Sequence, residues 1–543
     1  MSSRSEEKGH PLFHRVPVRR LTSSTLAILF LFLALALATR QAAAQSTPGG
    51  AAIPDTGAAQ AAPAAAPALP PPAAPTPAEV DLANRVADAE QASRIAVRRV
   101  EILEEQLATK AKDAAAKPPA FATASEKDGF SVRSADGAFM LKIHGQLQVD
   151  SRWFLDDGVL SDKADTFLVR RMRPSVDGTL LNIADFKITP EFAGGTTQVF
   201  DAYIDIHPFP WLHLRAGKFK APLGLERLQQ DQDLPLMERA LTQNLTSQRD
   251  VGAELWGDIA GGIVQYRLAI LNGATDAALQ DVDTNHAKDF AGRVLIQPFK
   301  AESLKELGAL GLHFGASTGN RFGIPTSTLL PSFKSGGQNT IFTYLAPAAT
   351  ADPTGAGTPF AHLRQSRLNP GLFYYFGPFG VLSEYVWNRQ EVQKGNTTMN
   401  LTNQAFHATA SIVIGGTNGF NGATPSSSLD LSKGTWGALE IAARWNMLKI
   451  DGDAFGNAAD PTVPVFADNT KAVSKAQGFT GALTYVPSRT WRLTVNFDRT
   501  SFTAGSSVST STTDPATMKT TTTKTVSNRN TENALLARAQ VYF

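Results

Sequence analysis

The chain has 543 residues, 43 % of them hydrophobic and only 18 % charged, with a formal charge of +2 and no cysteine. Absence of cysteine excludes a disulfide framework and thiolate metal sites, and the near-neutral balance offers no basic surface to nucleic acid. The length allows several soluble domains or one very large architecture.

The basic residues Arg4, Lys8, Arg15, Arg19 and Arg20 precede an apolar run at 26–38, and Ala42, Ala43 and Ala44 precede Gln45. That layout predicts a secretory signal peptide over residues 1–44, against the alternative of a retained membrane anchor. Residues 1–44 hold six basic and two acidic residues, so removing their +4 takes the formal charge from +2 to −2. Any preference for anions must then come from where charges sit, not from net charge.

Residues 45–78 are mostly Ala, Pro, Gly, Thr and Gln, which predicts an extended spacer. From 79 to 112 the apolar and small residues Leu82, Val86, Ala89, Ser93, Ala96, Val100, Leu103 and Leu107 alternate at spacings of four and three. This is a heptad seam, and it predicts a coiled-coil helix, with a single amphipathic helix lying on a neighbour as the alternative. Residues 113–125, with Pro118 and Pro119, read as a second linker.

Beyond residue 126 the period changes from helical to two. In the first run Phe139, Leu141, Ile143, Leu147 and Val149 share one face, and Lys142, His144, Gln146, Gln148 and Asp150 the other. Sixteen such runs are legible, near 139–150, 166–177, 183–193, 198–206, 211–218, 250–257, 262–271, 289–297, 309–318, 366–376, 379–390, 404–415, 434–450, 477–487, 490–502 and 532–543. Polar residues recur on the second face of nearly every run, and aromatic residues collect at the ends (Trp153, Phe154, Phe209, Trp211, Tyr374, Tyr375, Phe376). The pattern predicts an all-β fold, a 16-stranded antiparallel transmembrane β-barrel over 126–543, polar inside and apolar outside. An even strand number lets both ends meet and leaves no sheet edge unpaired in lipid. Connections at Asn182, 194–197 and 487–489 are short, and those at 219–249, 319–365, 416–433, 451–476 and 503–531 are long. Only 451–476 is expected to fall awkwardly in that alternation. The chain ends Leu535, Ala537, Ala539, Val541, Phe543, a strand that runs to its last residue and so needs a partner strand.

The stretches DTFLVRRMRPSVDGTLLNIADFKITPEF, DAYIDIHPFPWLHLRAGKFKAPLGLE, PLMERAL, WGALEIAARW and LLARAQVYF resemble the phosphate-selective porins O and P, across roughly 126–543. The resemblance implies a homotrimeric outer-membrane channel of a Gram-negative bacterium, with a lumen narrowed by inward loops and lined by basic residues. It also implies that Val541 and Phe543 belong to the signal taken up by the outer-membrane insertion machinery, and that the helical leader lies in the periplasm.

Guanidinium presents a planar fork of donors to an oxyanion, and ammonium a mobile point charge. The candidate solute-binding residues are therefore Arg171 and Arg173 on the polar face of the second run, with Arg170 joining them only if a bulge turns it inward. Lys218 and Lys220 stand where the chain enters the 219–249 loop, and Arg215, Arg293, Arg389, Arg444 and Arg538 extend a basic track. The alternative for each is an arginine paired with a neighbouring carboxylate that fills a polar interior. Residues 218–249 hold five basic groups against four acids, which predicts a less discriminating pore than the phosphate-selective type. The nine His residues are scattered and no nucleophile motif is evident, so no catalytic site, metal or cofactor is expected. The expected function is passive diffusion of small anionic solutes, phosphate or polyphosphate among them, through a barrel in contact with outer-membrane lipid. The competing reading is a plugged structural barrel tethered by its leader to peptidoglycan or a partner.

Overall fold

The computed structural model describes residues 77–543 apart from 117–120, 126–128, 156–163, 280, 284–285, 301–305, 347–356, 458–459, 461, 514 and 516. The expected signal peptide, and all but the last two residues of the expected 45–78 spacer, lie outside the described residues. Helix α1 runs Pro77–Ala116, with proline in its first turn, where a missing N–H costs nothing. Val86, Val100, Leu103 and Leu107 of its seam are exposed in the single chain.

The strands that follow are β1 (Phe121–Ser125), β2 (Gly129–Arg133), β3 (Phe139–Leu155), β4 (Thr166–Leu180), β5 (Ala184–Glu191), β6 (Gln198–Phe209), β7 (Leu212–Lys220), β8 (Arg249–Ile259), β9 (Val264–Leu271), β10 (Asp289–Ile296) and β11 (Leu310–Phe322). After the long loop come β12 (Phe360–Phe376), β13 (Phe379–Lys394), β14 (Thr397–Ile414), β15 (Ala438–Lys449), β16 (Val473–Ser488), β17 (Trp491–Thr513), β18 (Thr520–Asn528) and β19 (Glu532–Tyr542). Among the described residues, β3 to β17 and β19 form a closed ring of sixteen strands, each antiparallel to the next. The ring shuts where β19 pairs with β3, from Asn533↔Leu155 to Tyr542↔Gln146. Phe543 continues that seam, exchanging backbone hydrogen bonds of 3.0 and 3.1 Å with Gly145. A Cβ at Gly145 would lie 2.4 Å from the Phe543 ring, so glycine makes room for the terminal aromatic.

Two elements lie outside the ring. The β1–β2 hairpin takes the place beside β3 just past Phe543, pairing Phe130↔Ile143 to Arg133↔Met140. Residues 121–125, assigned above to a linker on composition, are thus a strand because β2 offers them an edge. β18 pairs only with the far end of β17, making a Ser/Thr-rich hairpin that runs on beyond the ring.

Alternation follows the inverted rule. In β15, Glu440, Arg444 and Asn446 are buried inside while Ile441 and Trp445 are exposed outside, and β17 repeats this with Arg492, Asn496 and Asp498 against Leu493, Val495 and Phe497. The wall is uneven in height. β5, β7, β9 and β10 have eight or nine residues, whereas β12, β13, β14 and β16 have 16 to 18.

The lumen is not empty. The described residues of the loops 221–248, 323–359 and 450–472 fold inward and meet the tall wall in an apolar core, with Leu241, Leu245, Phe333, Ile341, Phe342 and Phe466 packed on Val386, Leu401, Ala405, Leu448 and Ala476. A loop from the opposite, short-turn side joins them. Residues 415–437 rise to the 221–248 loop, where Gln229 donates to the Phe420 carbonyl at 2.9 Å. The expected exception to the loop alternation is therefore misplaced. Residues 450–472 sit with the long loops, and 415–437 is the long segment on the short-turn side, because it has the lumen to fold into.

Candidate functional site

β4 carries a bulge. Gln148 faces Arg171 and Val149 faces Val169, which leaves Arg170 without a partner across the ladder. An extra residue shifts the phase of the strand locally, so Arg170 reaches Glu238 of the inward loop in a two-pronged contact of 2.7 and 3.0 Å, although its strand phase alone would point it to lipid. Arg171 and Arg173 follow on the lumenal face, both buried.

These residues line an outer chamber of about 800 Å³ toward the long-loop side, in which eight cationic side chains face three carboxylates, Asp231, Glu238 and Asp276. Asp231 is shared by Arg171 at 3.3 Å, Arg239 at 2.8 Å and Arg173. Glu238 is shared by Arg170, by Arg152 at 3.0 Å and by Arg538 at 3.2 Å. Burial alone would raise the Asp231 carboxyl, but the guanidiniums of Arg171, Arg173 and Arg239 outweigh it and hold the group well below the usual carboxylate range. Asp231 and Glu238 each neutralise one unit of charge and order three cations, and Asp276 is held by Arg367 at 2.7 Å, so the lining keeps a positive excess. Among the described residues Arg227, in the short helix α2 (Leu225–Leu228), has hydrogen bonds to Thr246 and Gln243. Burial, then Arg239 and Arg249, pull its pKa down to about 9, so it remains a cation at neutral pH.

A second, inner chamber of about 460 Å³ lies further along the lumen. It is lined by Lys187, Arg215, Lys220, Arg267 and Arg293 against one carboxylate, Asp201. The ion pair Arg249–Asp201, 3.2 Å, joins the two chambers, since Arg249 lines the first and Asp201 the second. Arg173 and Arg249 both sit over the Phe200 ring, 3.6 and 3.5 Å from its centroid, so their planes are held by the ring as well as by their carboxylate partners.

Of the sequence candidates, Arg170, Arg171 and Arg173 line the outer chamber, and Arg215, Lys220 and Arg293 the inner one. Arg215 is tied to Asp205 at 2.6 Å and Glu254 at 3.3 Å. Arg444 lines neither chamber. It bonds Glu226 at 2.8 Å and the Glu238 carbonyl at 2.5 Å, and so fastens the constriction loop to the wall. Arg538 does the same at the seam through Asp150 and the Met237 carbonyl. Lys218 also departs from its expected place. It shares the lipid-facing phase of Leu214 and Ala216 and pairs with Asp281 of the loop at 272–288. Arg389 is exposed on the outward phase with Val381 and Trp387.

Lys187 and Phe200 were not among the candidates. For Lys187 the signal was present, because Phe186 and Ile188 flank it and leave it on the opposite face. The charge count over 218–249 is not the charge of the chamber lining, because Glu226, Asp231 and Glu238 are engaged in holding the loop, while further cations come from β4, β5, β9 and β10.

The family described as Phosphate-selective porin O and P matches residues 141–543, three-quarters of the length and the whole ring of strands. This chain belongs to that porin family. The phosphate-selective porin O and P fold accounts for a sixteen-stranded barrel in the outer membrane of a Gram-negative bacterium, and makes the protein a porin. Among curated proteins, no sequence relative matches. Solved structures similar to this porin include OmpT of Vibrio cholerae (11 % identity, 75 % of this chain and 98 % of that one, TM-score 0.45). Others are an anion-selective porin from Comamonas acidovorans (10 %, 75 % and 100 %, 0.44) and the outer membrane channel DcaP of Acinetobacter baumannii (10 %, 76 % and 99 %, 0.43).

Proposed function

We propose that this porin passes small anions by passive diffusion, drawing them through the outer chamber, past the Arg249–Asp201 pair and into the inner chamber. The observation that carries the reading is the surplus of lumenal cations over carboxylates in both chambers. Low-dielectric walls around a narrow water path focus that field, so anions concentrate and cations are turned away. Inorganic phosphate and polyphosphate suit the outer chamber, where Arg170, Arg171 and Arg173 lie side by side with loop arginines whose carboxylate partners are shared.

The porin works as a homotrimer in outer-membrane lipid. β5, β9 and β10, at eight residues each, fall short of the ~9–11 a lipid-facing strand needs, so the part of the wall that holds them is the side that copies of the chain shield from lipid. Helix α1 extends into the periplasm as a coiled coil, where its exposed seam joins the three copies. Val541 and Phe543 present the finished strand to the insertion machinery.

The apolar core inside the lumen favours a second reading, a barrel plugged for a structural role. Single-channel recording in a planar bilayer separates the two. We expect an anionic reversal potential under a KCl gradient, and a dose-dependent block by phosphate that weakens in Arg171→Gln and Arg173→Gln. A large conductance without ion preference would overturn the anion path and keep the porin. Silent bilayers would favour the plug.

A further inference from the structure

We infer that the inner chamber is a binding site for organic anions that carry a flat aromatic body, and that inorganic phosphate is its poorer occupant. The inference rests on the anion path proposed above and names the solute class for one half of it.

The cationic side of the chamber is unusually free. Arg215 and Arg267 are committed to Asp205 and Glu254. Lys187, Lys220 and Arg293 have no carboxylate within ion-pair distance among the described residues. Lys220 donates to the backbone carbonyls of Leu228 and Gln229, which holds its ammonium at the chamber wall without neutralising it. Arg293 is 5 % exposed and its Nε has no hydrogen-bond partner. A buried guanidinium with an unmet donor costs stability unless something supplies an acceptor, and an anion in the chamber would supply it.

Aromatic rings line the same space. Phe373 and Phe420 lie 4.9 Å apart between centroids, while Tyr203 and Phe219 have the Arg215 guanidinium 4.4 and 5.8 Å from their rings. Phe420 belongs to the loop that rises from the short-turn side, and Phe373 stands three residues from the end of β12 on that same side. The outer chamber has no comparable wall, for Phe200 is its one aromatic lining residue and is already covered by Arg173 and Arg249.

Unpaired cations and the Phe373 and Phe420 rings in one chamber select by shape. A carboxylate or phosphate group on a flat ring can meet Arg293 and Lys187 while its ring lies against Phe420, replacing water on carbon with carbon. Inorganic phosphate would set strongly hydrated oxygens against those same rings, with no partner for them. At about 460 Å³ the chamber has the size and mixed lining of a small-molecule site and is roomy for a bare oxyanion.

The test uses the full-length protein in planar bilayers carrying a chloride current, with benzoate, acetate or inorganic phosphate added on either side. Benzoate is expected to half-block the current at a concentration about two to twelve times lower than acetate, the range a stacked aromatic pair supplies. Phe420→Ala should bring the benzoate-to-acetate ratio close to one and Phe420→Tyr should retain it, while Arg293→Gln should weaken block by both carboxylates. Equal block by benzoate and acetate in an anion-selective channel would overturn the inference and leave the anion path standing. So would a ratio indifferent to Phe420→Ala or, should that variant not assemble, benzoate block indifferent to Lys187→Gln. A channel without anion preference would remove the proposed path and this inference together.

Discussion

Asp231→Asn tests whether shared carboxylates set the charge of the outer chamber. The side chain is held by three guanidiniums and is 9 % exposed, so the amide keeps the volume and removes one negative charge from the lining. An anion ~5 Å away in water-like surroundings gains about 0.8 kcal/mol from that change. This is about fourfold in occupancy, since ~1.4 kcal/mol corresponds to tenfold. A cation loses as much, so the anion-to-cation permeability ratio should rise by up to about fifteenfold when the salt is dilute enough for the Debye length to be ~10 Å. The substitution also costs loop stability, about 3–5 kcal/mol where a buried charge loses its partner, and the loop must be shown to stay in place. Reversal potentials under a potassium chloride gradient give the ratio, and single-channel conductance within twofold of the parent reports a retained loop. An unchanged ratio at unchanged conductance would refute the idea that the three carboxylates limit an otherwise positive chamber.

Two further perturbations probe the lumen. Phe342 is 1 % exposed and packs on Phe333 and Tyr344 inside the barrel, so Phe342→Ala should cost about 3–5 kcal/mol. The cost should fall on the inward loops, not on the strand ladder. Open-channel current should become noisier while the temperature at which the barrel unfolds on a gel stays put, and a lowered barrel temperature would contradict this. Burial, opposed by Arg492 and Lys220, raises the Asp233 carboxyl to about 6. A carboxyl raised above its unfolded value favours the folded loop when protonated, and that support is lost as pH rises from about 4 through 6. Anion selectivity should accordingly be higher at pH 5 than at pH 7, and Asp233→Asn should be equally selective at both. A wild-type pH step that survives in Asp233→Asn would assign the titration elsewhere.

The ring of strands was legible because a membrane imposes one rule on every strand. Lipid demands an apolar outward face and the water path tolerates polar groups inside, so WGALEIAARW and TWRLTVNFD declare their faces residue by residue. The contents of the lumen obey no such period. Leu241, Phe333, Ile341 and Phe466 come from three loops far apart in the chain, and only tertiary contact says that they share one core. Arg170 shows the limit most sharply, because a single unpaired residue in the ladder reverses the side on which its charge lies. The pairing of acids was equally hidden. Counting charges along the 218–249 loop treats Glu226 and Glu238 as counterweights to passing anions, whereas both are occupied with Arg444 and with Arg170, Arg152 and Arg538.

Arg538 stands in the last strand, yet it bonds Asp150 in β3 and both Met237 and Glu238 in the constriction loop. The filter therefore lacks one of its fastenings until the final dozen residues have docked nearly 400 positions from where the ring began. Ring closure and the last fastening of the loop thus share one side chain. A chain cut short near its end would lose the seam and that fastening together.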